Sequence, residues 1–148
     1  MASWRDTASE QTQRDLDELL DDSLQAAQSL LAENGEFIPF GLGISPDGEL
    51  RAYGVDESVL PAEPTSHDVA DSLVRGFSAG RDEIRAAAVV ADVRVKASGE
   101  DAIDVALEHS EGPAMNVLLP YTKAADSAED VEYGDLSAAP AEKRVWAD

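Results

Sequence analysis

Leu16, Leu20, Leu24, Ala27 and Leu31 recur at helical spacing, and Leu19 and Leu30 widen the stripe they form. The pattern predicts a helix over residues 9–34. Asp15, Asp17, Glu18, Asp21 and Asp22 crowd its N-terminal half, where the helix dipole favours anions. Asn34-Gly35 supplies the stop, because glycine takes the left-handed conformation that closes a helix. The periodicity then changes. Phe40, Leu42 and Ile44 alternate with Gly41 and Gly43, which predicts a strand with one apolar face and one nearly bare face. Ser45-Pro46-Asp47-Gly48 is a turn sequence, and residues 49–55 return as a second strand. Pro39 sets the first strand at a sheet edge or lies outside its ladder. The bare glycine face implies close approach by a helix or by the C-terminal arm.

After a proline-containing link, Thr65 or Ser66 can cap a second helix. Val69, Leu73, Phe77 and Ile84 fall on one side of it, and a break is expected near Gly80. Three alternating runs follow. Residues 87–96 put Val89, Ala91, Val93 and Val95 on one face, residues 102–109 bury Ile103, Val105 and Leu107 and expose Asp104 and Glu108, and residues 115–121 complete a meander. The expected architecture is a two-layer α+β domain of order α-β-β-α-β-β-β. It has a five-stranded antiparallel sheet with both helices packed on one face. Residues 9–121 form this domain, 1–8 are a flexible N-terminus, and 122–148 are an acidic C-terminal arm, partly docked through its Tyr and Trp.

That order resembles the roadblock and profilin-like folds, and the resemblance is topological. Phe37-Ile38-Pro39-Phe40-Gly41 followed by Asp47-Gly48-Glu49 is similar to small uncharacterised bacterial domains. So is Gly112-Pro113-Ala114-Met115 leading into Leu118-Leu119-Pro120-Tyr121. The resemblance spans about residues 15 to 121 and implies a stand-alone domain without implying any chemistry.

Charge narrows the function. Thirty-one Asp and Glu face eleven Lys and Arg, a net charge of −20 on 148 residues. A surface that repels phosphates gains nothing from counterion release, so neither nucleic acid nor an anionic membrane is expected as a partner. Cysteine is absent, which removes disulfides, thiolate nucleophiles and cysteine metal sites. The opening Met-Ala-Ser-Trp-Arg-Asp lacks the apolar stretch of a signal peptide, so a cytoplasmic location is expected.

Candidate chemistry is sparse. His67 and His109 lack local partners at zinc spacing and read as surface or cap residues. No Gly-x-Ser-x-Gly elbow and no phosphate-binding glycine loop occurs. Arg75, Arg81, Arg85, Arg94 and Lys96 lie among acids, the setting of ordinary surface ion pairs. Asp17 with Asp21 and Glu18 with Asp22 stand one helical turn apart. They read as a solvated face that could meet a partner, and no cofactor or metal is expected. The leading expectation is a non-enzymatic protein–protein interaction domain, with self-association, including a homodimer, as one form. An acidic immunity-type inhibitor of a basic effector is the alternative. A carboxylate-dependent hydrolase is the third.

Overall fold

The computed structural model describes residues 8–54, 62–63, 65–95, 99–124 and 127–146. The expected flexible N-terminus lies outside these apart from Ala8, as does most of the link before the second helix. No helix among the described residues is long and apolar enough to cross a membrane.

Helix α1 is Glu10–Asn34. The Ser9 hydroxyl accepts the Thr12 N–H at 3.1 Å, and Gly35, at φ 76°, donates its N–H to the Leu31 carbonyl at 2.8 Å. Strands β1 (Phe40–Ile44) and β2 (Leu50–Tyr53) form the hairpin, and Pro39 sits just outside the ladder. Helix α2 (Ser66–Ala79) opens with a capping box between Thr65 and Asp68 and stops at Gly80, after which Arg81–Glu83 make a 3-10 turn. Burying Val69, Leu73 and Phe77 contributes about 1.5–3 kcal/mol each, more than the ~1 kcal/mol that Gly76 costs inside the helix.

The meander is longer than the alternation suggested. Strands β3 (Ala86–Arg94), β4 (Asp101–His109) and β5 (Ala114–Ala124) are joined by β6 (Ser127–Tyr133) and β7 (Ser137–Pro140). The sheet therefore has seven strands, not five, ordered β2-β1-β3-β4-β5-β6 with β7 also on β5. β6 and β7 take successive halves of one edge of β5. Tyr133 lies opposite Tyr121 and Ser137 opposite Leu118, so the outer chain uses four steps where β5 uses three. Residues 134–136, between β6 and β7, leave the ladder and take up that difference, so this edge is not one continuous strand.

The helices lie on opposite faces of the sheet, which corrects the expected one-sided packing. Ala86, Ala88 and Val90 join Ile103, Val105, Leu107, Met115, Val117 and the leucines of α1 in one apolar cluster. Ala87, Val89 and Ala106 join Val69, Leu73 and Phe77 of α2 in another. Neighbouring residues of a strand point to opposite faces, so the run Ala86–Ala91, buried throughout, can only be the middle of three layers. The glycine face of β1 meets a helix, as one of the two expected approaches. A Cβ on Gly41 would stand 2.7 Å from the Phe77 ring, and Phe77 packs edge-on against Tyr53 with centroids 5.0 Å apart. The other correction follows from the same three-layer packing. Glu108, expected on a wet face, is buried under the C-terminal segment, and His109, expected at the surface, is buried under α1.

Candidate functional site

A buried polar cluster lies at the N-terminal end of α1, and a groove lies at the other end.

The cluster centres on Asp15, which shares the stripe of Thr12, Leu16 and Leu19 and is 1% exposed. Its carboxylate accepts four hydrogen bonds. Oδ1 takes Arg85 Nη2 and Gln11 Nε2, both at 2.9 Å, while Oδ2 takes Arg85 Nε at 2.9 Å and His109 Nε2 at 2.8 Å. Arg85 also reaches the Pro46 carbonyl at 3.0 Å, which ties the hairpin turn to the cluster. Burial pushes Asp15 upward, but the bonds from Arg85, His109 and Gln11 outweigh it, so its carboxyl lies below the ordinary value. Next to it, the Thr12 and Ser9 hydroxyls both bond Glu111 and hold its carboxyl below the ordinary value.

The orientation of His109 decides what this cluster can do. Its Nδ1 accepts the Glu111 N–H at 3.1 Å, which assigns the ring proton to Nε2, facing Asp15. An Asp–His pair that activates a nucleophile needs its second nitrogen turned toward that nucleophile. Here that nitrogen is occupied by a main-chain donor. Every strong group in the cluster is satisfied internally, and it clamps α1, the β1–β2 turn and the end of β4 together.

The groove lies between the C-terminal end of α1, the segment leading into β1, and the start of α2. Its volume is about 660 Å³, and Leu30, Phe37, Ile38, Pro39, Phe40 and Val69 line it. Asn34, Glu36, Thr65 and Ser66 complete the lining, which holds no Lys or Arg among the described residues. Phe37 is buried, and its ring centre stands 5.7 Å from that of Phe40. Ile38, 75% exposed, projects at the mouth. A mostly apolar concavity of this size with a few polar groups at its rim has the makings of a recognition site.

The acids singled out from the sequence do not converge on either feature. Asp17, Glu18 and Asp21 are exposed on the outer side of α1 and Asp22 is half-buried. Among the described residues no group of three or more His, Asp or Glu gathers as a cation site. Asp17 borders a smaller hollow of about 160 Å³ with Leu16, Leu20 and Leu136. His67 is exposed, with Nε2 3.1 Å from Asp71 one turn on, so the two histidines do not meet. Arg94 pairs at the surface with Asp101 at 3.3 Å, whereas Arg85 leaves the expected surface pattern for Asp15. Tyr121 donates to Asp92 at 2.5 Å. Burial first, then the Asp92 carboxylate, push its phenol well above the ordinary range, so it remains a hydrogen-bond donor.

No protein-family model matches the chain, and neither does a curated protein or a solved structure.

Proposed function

We propose that this is a protein–protein interaction domain whose groove at the ends of α1 and α2 receives an apolar side chain of a basic partner. The observation that carries the reading is an open apolar groove whose described lining carries Glu36 and no Lys or Arg. Ile38 stands exposed at a mouth bounded by Glu36, on a chain of net charge −20. A partner that offers an apolar anchor flanked by Lys or Arg gains burial inside the groove and steering outside it. Masking of a basic effector is one biological form of such binding. Self-association is disfavoured by like charge, although the resemblance in element order to roadblock-like domains speaks for it.

Calorimetric titration with two amphipathic peptides of equal apolar content, one Leu/Lys and one Leu/Glu, tests this. Binding is expected for the Leu/Lys peptide alone and should weaken as salt rises. Ile38→Asp should reduce it about tenfold, the scale of losing one anchoring side chain. Stability should hardly change, because Ile38 is exposed. Leu/Lys binding that Ile38→Asp leaves intact would remove the groove from the reading, and equal binding of both peptides would remove the electrostatics.

A further inference from the structure

Beyond β7 the chain turns back over the α2 face of the sheet. Ala141 N–H bonds the Ala114 carbonyl at 3.0 Å. Two further main-chain donors, the N–H groups of Arg144 and Trp146, converge on the buried Glu108 carboxylate at 2.5 and 2.7 Å. Between them Val145, 4% exposed, enters the apolar cluster of Leu73, Phe77, Ala87 and Val89, and Trp146 packs at its margin. Asp104 lies half-buried on the same face of β4. Burial pushes its carboxyl above the ordinary value, and hydrogen bonding by Asn116 and the positive charge of Arg144 partly oppose this.

The segment Lys143-Arg144-Val145-Trp146 is thus held in the way a peptide ligand is held. Its backbone donors clasp a carboxylate, one β-branched side chain fills an apolar notch, an aromatic ring closes the rim, and a cation faces an acid. It also contains two of the eleven cations of a strongly acidic chain, in adjacent positions. Glu108 sits on the floor of this seat, so lifting the segment would leave a carboxylate beside an apolar notch with no main-chain donors upon it.

We propose that the seat between α2 and strands β3 and β4 is a receptor for short basic–apolar segments of a partner protein, Lys or Arg followed by a β-branched and an aromatic residue. Residues 143–146 fill it in cis and must be displaced. The inference rests on the docked segment itself and is independent of the groove at the helix ends. A tethered segment competes at an effective concentration of the order of millimolar, so an external peptide meets a site that is mostly occupied.

The probe is a labelled peptide of residues 140–146, Pro-Ala-Glu-Lys-Arg-Val-Trp, titrated by fluorescence anisotropy against full-length chains. Weak binding to the wild type is expected. Val145→Asp, which ejects the cis segment, should bind the peptide at least about tenfold more tightly. Adding Glu108→Gln to that variant should take away most of the gain, because one clasped carboxylate oxygen is lost. Arg144→Ala with Trp146→Ala is a milder release and should lie between wild type and Val145→Asp. Cooperative thermal unfolding identifies the folded variants. The proposal is overturned if folded Val145→Asp binds no more tightly than wild type. It is equally overturned if both releasing variants unfold, since the segment is then ordinary core. A wild-type dimer that the peptide dissociates would assign the seat to a second copy's C-terminal segment instead.

Discussion

Asp15→Asn is expected to lower unfolding stability by about 3–5 kcal/mol, the cost of removing one partner from a buried ion pair. The amide cannot accept from both Arg85 nitrogens and His109 while Gln11 also donates to it, and the Arg85 charge loses its counter-ion in a setting only a quarter exposed. Replacing all three members by apolar residues of similar size (Asp15→Leu, Arg85→Met, His109→Leu) should cost far less than the single change. Breaking such a cluster strands a charge, whereas deleting it strands none. Acid should act on the same bond. Because the Asp15 carboxyl is held below its ordinary value, its contribution is complete above about pH 5 and is lost as pH falls through the ordinary value and then the lowered folded value. Urea midpoints at constant slope, measured from neutrality to pH 3, should fall for the wild type and stay flatter for Asp15→Asn in the acid range. A mild single substitution would show that α1 is fixed by its leucines alone.

Phe77→Ala should cost about 3–5 kcal/mol, because the ring covers the glycine face of β1 and nothing opposite can move in to fill the space. Gly41→Ala should cost about 1–3 kcal/mol in the intact chain, where the new Cβ would meet the Phe77 ring at 2.7 Å. In the Phe77→Ala background the same methyl enters free space, so the two costs should fall well short of additive. A double-mutant cycle by urea unfolding measures the difference. Additive costs would place α2 elsewhere than over Gly41.

Those two sites also mark how far the sequence could be read. Both helices and the hairpin were legible because their signals are local: a leucine stripe closed by Asn34-Gly35, a cap at Thr65 or Ser66, which the structure assigns to Thr65, and a Pro-Asp-Gly turn. The bare face of β1 announced a close neighbour. What failed was the phase of β3. Alanine at 86, 87 and 88 is apolar in both phases, so a strand buried on two sides resembled one buried on a single side. The edge strands β6 and β7 gave no alternation because an exposed edge is held by its ladder rather than by burial, and Ser137–Pro140 is exposed throughout. The cluster around Asp15 joins residues 70 and 94 positions apart, a distance that no local spacing encodes. One signal was present all the same. Asp15 lies four residues before Leu19 on the apolar stripe, and His109 continues the buried phase of Ile103, Val105 and Leu107. A polar residue in phase with a core points to a buried partner. The groove and the seat of the C-terminal segment were out of reach, since both are made where separate elements end.

The arrangement of two helices on opposite sides of one sheet underlies every site described, and a single distance tests it. The chain has no cysteine, so Gln25→Cys and Arg75→Cys, both at exposed positions, give one label on the outer face of each helix. Packed layers lie about 10 Å apart, so helices separated by a sheet have axes about 20 Å apart, and outward labels should show an electron–electron distance beyond about 30 Å. A distribution centred below about 20 Å, as for two helices side by side, would contradict the three-layer arrangement.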